Sequence, residues 1–271
     1  IMADSIEQFR SAAVEAAESA GAELMRCWRQ YHHIRSKGLR DIVTEADMAA
    51  EKAILDIIRR RFPEHDILTE ETGAHGNNGR RSPYRWVIDP LDGTTNYARG
   101  LPFFCVSIAL FENGRPLLGV IYDPLRRQCY QAARGQGTYL NGERLRVSRR
   151  TDWMDLIIAT DFPRQEAPRQ HMMRIIDRHS HDLGGWRIMG SAALGLCLVA
   201  DGSADAYLHL TLFPWDKAAA GIIIEEAGGR VTGIRGEADW WNTPTCMATN
   251  GLIHDALLAR LAPDVAEGDD A

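Results

Sequence analysis

The sequence predicts a layered α+β protein, with an antiparallel β region in its N-terminal half joined to a smaller α/β half and helices layered against both. Three observations predict this. Two stretches near the start carry apolar residues at helical spacing, the segment from Phe103 to Val147 breaks into short β-type runs, and the remainder alternates strand and helix patterns. A chain of 271 residues can bury a large core, and 45% hydrophobic with 25% charged residues excludes a disordered or fibrous class. No repeat, low-complexity tract or long linker interrupts it, so 1–150 and 151–271 read as two tightly joined halves of one unit.

Taken in order, Ser5 to Gln30 places Phe9, Ala13, Ala17, Leu24 and Trp28 on one helical stripe. Thr44, with Asp47 three residues on, resembles a helix start, and Ala50, Ile54, Ile57, Ile58 and Phe62 continue a stripe that Pro63 closes. The runs "HDILTEET" and "RWVIDPLDG" are short strands, and each ends in carboxylates. From Phe103 to Val147, Asn113-Gly114, Asp123-Pro124, Gly135-Gln136-Gly137 and Asn141-Gly142 punctuate four or five strands into an antiparallel meander. The second half reads as the strand "LIIAT", a helix near Glu166 to Arg178, a helix from Ser191 to Ala200 and the strand "ADAYLHL". A helix from Pro214 to Ala227 and short strands near Val231 and Met247 complete it.

Several function classes fall away. The longest apolar run, Ala218 to Ile224, is far too short to span a bilayer, and "IMADSIEQFR" carries acids where a signal peptide needs basic and then apolar residues. The expectation is a cytoplasmic protein without a membrane anchor. Cys27, Cys105, Cys129, Cys197 and Cys246 are scattered and odd in number, which suits reduced buried thiols better than disulfides or a zinc site. A formal net charge of −6 argues against a general nucleic-acid binder, and the clusters Arg59-Arg60-Arg61, Arg80-Arg81 and Arg149-Arg150 read as solvated faces. Lys37, His32-His33 and the histidines at 179 and 181 read as exposed, and Trp240-Trp241 as a packing or partner contact.

The chemistry lies in carboxylates at element ends: Asp47, Glu70, Asp89, Asp92 and Asp216. Acids brought together raise one another's pKa, and a divalent cation removes the conflict. Oxygen-only ligands select a hard ion such as Mg²⁺ or Mn²⁺, which completes its shell with water and phosphate. In "DPLDGTT", Pro90 fixes φ and donates no hydrogen bond, so the chain leaves its strand in a rigid bend that can turn the Leu91 carbonyl toward an ion at Asp89 and Asp92. A helical turn starting at Gly93 and Thr94 would present N–H donors to a phosphate. Asp216, in the first turn of a helix, is also what the helix dipole alone would favour.

These pieces resemble the inositol monophosphatase family of metal-dependent, lithium-sensitive sugar phosphatases: "DIVTEAD", "ILTEE", "WVIDPLDGTTNY", "GSAA" at Gly190 to Ala193 and "WDKAAAGIIIEEAGG", in order across nearly the whole chain. The resemblance implies an αβαβα sandwich, a likeness to cytoplasmic homodimers, and hydrolysis of a small phosphorylated polyol with two or three Mg²⁺ ions. It implies that Glu70, Asp89 and the Leu91 carbonyl hold one ion, and that Asp89, Asp92 and Asp216 hold a second. Asp47 and Thr94 would orient the attacking water with help from Glu70. Asp92, Gly93, Thr94, Gly190, Ser191, Ala192 and His209 would surround the substrate, with most ligands and the phosphate loop in 1–150 and Asp216 and the alcohol pocket in 151–271.

Substrate choice is less determined. Members preferring inositol phosphates usually place an acid where this chain has His209, and an imidazole does not accept hydroxyl protons as a carboxylate does. Inositol or a related polyol phosphate ranks first, histidinol phosphate second and a sugar bisphosphate such as fructose 1,6-bisphosphate third. A regulatory binding protein that keeps the phosphatase fold is the non-enzymatic alternative.

Overall fold

Ser5 starts the first helix, α1 (Ile6–Cys27), with a reciprocal cap: its hydroxyl accepts the Gln8 N–H at 3.3 Å and the Gln8 side chain accepts the Ser5 N–H at 2.6 Å. The computed structural model describes residues 5–30, 35–76 and 82–267; His32-His33, Arg80-Arg81 and the Lys37 side chain lie outside the described residues. Phe9, Ala13, Ala17 and Leu24 are buried as the stripe requires, while Trp28 caps the helix end half-buried against Phe104. After a short hairpin, β1 (Arg35–Gly38) and β2 (Asp41–Val43), the second helix α2 (Glu45–Arg61) starts from a Thr44–Asp47 capping box and stops ahead of Pro63.

The first sheet has eight strands: β3 (Asp66–Thr69), β4 (Gly73–His75), β5 (Tyr84–Asp92), β6 (Cys105–Glu112), β7 (Arg115–Asp123), β8 (Gln128–Ala133), β9 (Gly137–Leu140) and β10 (Glu143–Arg144). Their order is β10-β9-β8-β7-β6-β5-β3-β4, antiparallel except where β3 runs parallel to β5. A short helix, α3 (Thr94–Ala98), follows β5. The Asn113-Gly114 and Asn141-Gly142 turns place all four residues at positive φ, as tight hairpins demand.

The second sheet has five strands: β11 (Ile157–Thr160), β12 (Gly185–Ile188), β13 (Ala206–His209), β14 (Arg230–Thr232) and β15 (Cys246–Thr249), in the order β12-β11-β13-β15-β14. Its helices are α4 (Glu166–His179), α5 (Ala192–Ala200), α6 (Pro214–Glu226) and α7 (His254–Glu267). The sequence reading missed β1, β2, β4, β12 and α7, and placed the other major elements.

Strand alternation sorts the core into three slabs. Trp86, Ile88, Val106, Ile108, Leu118 and Val120 face α1 and α2. Val87, Cys105, Ala109 and Ile121 face the opposite way, into a slab that holds α5 and α6 and is closed by Ala159, Tyr207 and Ala248 of the second sheet. Ile158, Leu208 and Met247 point outward to α4 and α7. The layers therefore run αβαβα. Helix α6 packs tightly in the central slab: a Cβ on Gly221 would lie 2.1 Å from the Trp240 ring, which is fully buried. Trp240 is thus a packing residue, and its indole N–H donates to Glu225 at 2.9 Å.

Two expectations need correction. His179 is buried rather than solvated: its Nε2 lies 2.9 Å from Asp264, because α4 and α7 pack together and bring a carboxylate from distant sequence to it. His181 is exposed as expected. Four of the five thiols are buried, but Cys27, at the end of α1, is half-buried. The arginines of 59–61 and 149–150 are exposed, and no described helix is long and apolar enough to cross a membrane.

Candidate metal and phosphate site

The end of β5 explains how two aspartates three apart come to share a site. Asp89 pairs with Ser107 of β6 and Asp92 pairs with Cys105, so three steps on one strand match two on the other and one extra residue bulges out. Pro90 suits the bulge because it has no N–H to leave unpaired. The bend is tied by the Leu91 N–H, which donates to Asp89 Oδ1 at 3.0 Å. Gly93 follows at φ 93°, where a Cβ would stand 3.0 Å from the Phe103 carbonyl, and α3 then begins.

Carboxylate oxygens of Asp89, Asp92 and Asp216 lie within 4.8 Å of one another. Asp89 and Asp92 are buried, and Asp216 is on the wall of a cavity of about 510 Å³. Glu70, directly after β3, stands outside this triad but close enough for its charge to act on all three acids. Burial, then Glu70 and the neighbouring aspartates, pushes Asp89 well above the usual carboxylate range. Burial first and then Asp92 and Glu70 do the same to Asp216. Asp92 is pushed up to about 6 by burial, against the opposing hydrogen bonds from Ser191 and Ala193.

The donors to these acids are neutral. Asp92 accepts the Ser191 hydroxyl, the Ala192 N–H at 3.3 Å and the Ala193 N–H at 2.7 Å, so it also caps α5 from a hundred residues away. Asp216 Oδ2 accepts the Phe213 N–H at 2.7 Å at the start of α6. Two buried carboxylates and a half-buried one, bonded by neutral donors, fit a hard divalent cation, whose charge removes the repulsion that raises their pKa values.

Asp47, buried at the start of α2, accepts the Thr44 N–H at 2.9 Å and the Thr44 hydroxyl at 2.6 Å. Burial holds it at about 6 despite these bonds. Thr94 Oγ1 lies 3.1 Å from Asp47 Oδ1 and 3.0 Å from the Leu91 carbonyl. Its one hydrogen serves two acceptors, and when it goes to Asp47 the Leu91 oxygen is released for another partner.

The same cavity is lined by Gly93, Thr94, Gly190, Ala192 and His209, so the structure brings these expected residues to one place. Ser191 joins them through its bond to Asp92. Thr95 and Asn96 also line it; Asn96 ties α3 to the loop before α5 by donating to the Phe103 and Met189 carbonyls at 2.8 and 2.7 Å. Tyr97 turns away and donates to the Leu24 carbonyl of α1.

The inositol monophosphatase family profile matches residues 5–268. The chain belongs to the inositol monophosphatase family. It is 40% identical over 258 residues to the Nus factor SuhB of Salmonella typhimurium, covering 94% of this chain and 96% of that protein. Among solved structures it is similar to the extragenic suppressor protein suhB of Bartonella henselae (TM-score 0.88, 36% identity, 93% of this chain and 97% of that one). It is similar also to the inositol monophosphatase of Anabaena (TM-score 0.84, 40% identity, 95% and 96%).

One cavity residue of this family member escaped the sequence reading. Asp161, just past β11, accepts the Met189 N–H at 3.1 Å, the Gly190 N–H and the Tyr207 hydroxyl at 3.2 Å, so it holds the loop that delivers Ser191 to Asp92. Burial pushes it up to about 7. Its signal was the same as that of Asp89: a carboxylate directly after an apolar strand.

Proposed function

We propose that this chain is a Mg²⁺-dependent phosphomonoesterase acting on inositol monophosphate or a related polyol phosphate. The observation that carries the reading is the convergence of Asp89, Asp92 and Asp216 at the cavity wall, next to the turn formed by Gly93 and Thr94. Asp89, Asp92 and Asp216, with Glu70 and the Leu91 carbonyl, would hold two or three ions. When bound there, Mg²⁺ supplies Lewis acidity that makes water nucleophilic near neutral pH and offsets charge on the departing alkoxide.

The chain's own groups do the rest. Thr94 Oγ1, donating its hydrogen to Asp47, keeps lone pairs with which to accept a hydrogen from the attacking water and fix its direction. Glu70 borders the same place and helps to hold that water. The N–H groups at the start of α3 have no partner within so short a helix and can donate to phosphate oxygens. Gly190, Ser191, Ala192 and His209 bound the side from which the alcohol leaves.

The SuhB relatives are named Nus factors, which favours a regulatory binding role as a second reading. Retention of the complete acid set supports catalysis, since a chain used only as a binding surface has no need to hold buried like charges together. Phosphate release from a panel of inositol, histidinol, sugar and nucleotide phosphates, with and without Mg²⁺, tests the choice. The expected result is Mg²⁺-dependent release, fastest with a polyol or sugar-like ester. No release from any ester would leave the regulatory reading standing alone.

A further inference from the structure

Pro168, His171 and Arg174 stand three apart in α4 and so follow one another along one side of that helix. All three line a second cavity, of about 260 Å³, and Pro244 borders both this cavity and the one that holds the acids. The floor is apolar: Leu210 after β13, Ile234 after β14 and Val265 of α7 meet Pro168 and Pro244 there. Leu210 and Ile234 are buried. The wall between the two cavities is tied down, because the Pro244 carbonyl accepts the Leu212 N–H at 2.6 Å and the Thr245 hydroxyl accepts the Ile234 N–H at 2.9 Å.

Two polar side chains at this cavity have hydrogen-bonding capacity to spare. His171 Nε2 is sealed from solvent and has no hydrogen-bond partner. Its Nδ1 has no partner among the described residues either, but it is not sealed. Orphaned buried N–H groups are rarer than orphaned acceptors, so the ring hydrogen belongs on Nδ1, where a ligand can accept it. Arg174 is exposed at the mouth and makes no hydrogen bond or ion pair among the described residues. The acid on this wall, Glu237, turns one oxygen to the Arg235 N–H at 3.0 Å and so closes its own turn.

We infer that this cavity is a second ligand site, distinct from the phosphate site, for a small apolar molecule that carries one carboxylate. The inference does not depend on the phosphomonoesterase reading. At roughly 30 Å³ for each water-sized atom, the space takes a body of about nine non-hydrogen atoms. The two oxygens of a carboxylate match the two donors, the Arg174 guanidinium and His171 Nδ1–H, while the apolar body covers Leu210, Ile234 and Val265. A phosphate brings more charge than one guanidinium offsets and would set its remaining oxygens against the apolar floor. A neutral molecule of the same size would fill the floor and gain nothing from Arg174.

Benzoate, which has this size and charge, and benzamide, its neutral counterpart, test the inference when each is titrated into the full chain and binding is followed by saturation-transfer NMR. Benzoate is expected to bind with a Kd of about a millimolar or tighter, and about fivefold or more tightly than benzamide. Arg174→Gln, an exposed change that breaks no contact, should bring the two affinities together. Ala167→Trp, at an exposed position on the cavity wall in the first turn of α4, should fill the space and abolish binding of both. Where Ala167→Trp does not fold, the Arg174→Gln comparison decides alone. Failure of benzoate to bind at tens of millimolar, equal binding of the two molecules by the wild type, or a benzoate preference unchanged in Arg174→Gln each overturn the inference. Benzoate binding that persists in folded Ala167→Trp also overturns it, by placing the ligand elsewhere.

Discussion

Asp92→Asn is expected to lower kcat by at least about a hundredfold while leaving the fold unchanged, the loss typical when one preorganised charge is taken from a transition state. Asparagine keeps the shape and one carbonyl oxygen, so the Ala193 N–H and the Ser191 hydroxyl still have an acceptor, and the pairing of β5 with β6 does not involve the side chain. The charge is what disappears. Two roles compete for Asp92, since the same carboxylate caps α5 and completes the acid triad. The two roles predict opposite patterns. If capping were the whole role, the variant would keep both its melting temperature and its turnover, because asparagine still offers the α5 N–H groups an acceptor. If the triad role dominates, circular dichroism is unaltered, metal-free stability is equal or higher because one like charge has gone, and turnover collapses.

The second large effect is a pH-dependent stabilisation by Mg²⁺. Asp47 and Asp92 are both held near 6 by burial, above the ordinary 3.8, and burial raises Asp89 and Asp216 further. A carboxyl with a raised folded-state pKa binds its proton more tightly in the folded chain. Its contribution to stability is complete below about pH 4 and is lost as pH rises through the folded value, on the order of a few kcal/mol in total. His209 and His254, lowered to about 3 and about 4, act in the opposite sense between those values and 6.5. They contribute equally with and without metal, so the difference between two melting curves isolates the acids. Mg²⁺ binds the ionised set, and at a hundred times its dissociation constant it adds about 2.7 kcal/mol. The rise in Tm on adding Mg²⁺ to EDTA-treated protein should therefore grow between pH 5 and pH 7.5. A rise that is the same at both pH values would mean that the ion binds away from the buried acids.

How much of this was legible in the sequence depends on the range of the interaction. Caps, turns and strand punctuation are local, so Thr44 with Asp47 and the two Asn-Gly hairpins appeared where the residues placed them. Helix α7 was missed although Leu257 and Leu261 are one turn apart and buried, because Pro263 interrupts the pattern. Strand β12 is a four-residue edge strand with no burial alternation to read. In the site, Asp89, Asp92 and Asp216 could be grouped because each sits at the end of a recognisable element. The cap of α5 by Asp92, the anchoring of the Gly190 loop by Asp161 and the burial of His209 each depend on contacts fixed only when the elements pack. Glu70, expected among the ligands, stands in the turn after β3, from which its charge acts on all three acids.

The most direct test of the central claim, that the buried acids serve metal-dependent phosphate hydrolysis, is a titration of EDTA-stripped protein with Mg²⁺ while phosphate release is followed. The account predicts no release without metal, recovery as Mg²⁺ is added, and suppression by excess Ca²⁺, whose larger ion favours higher coordination and looser geometry. Full turnover in EDTA would contradict it.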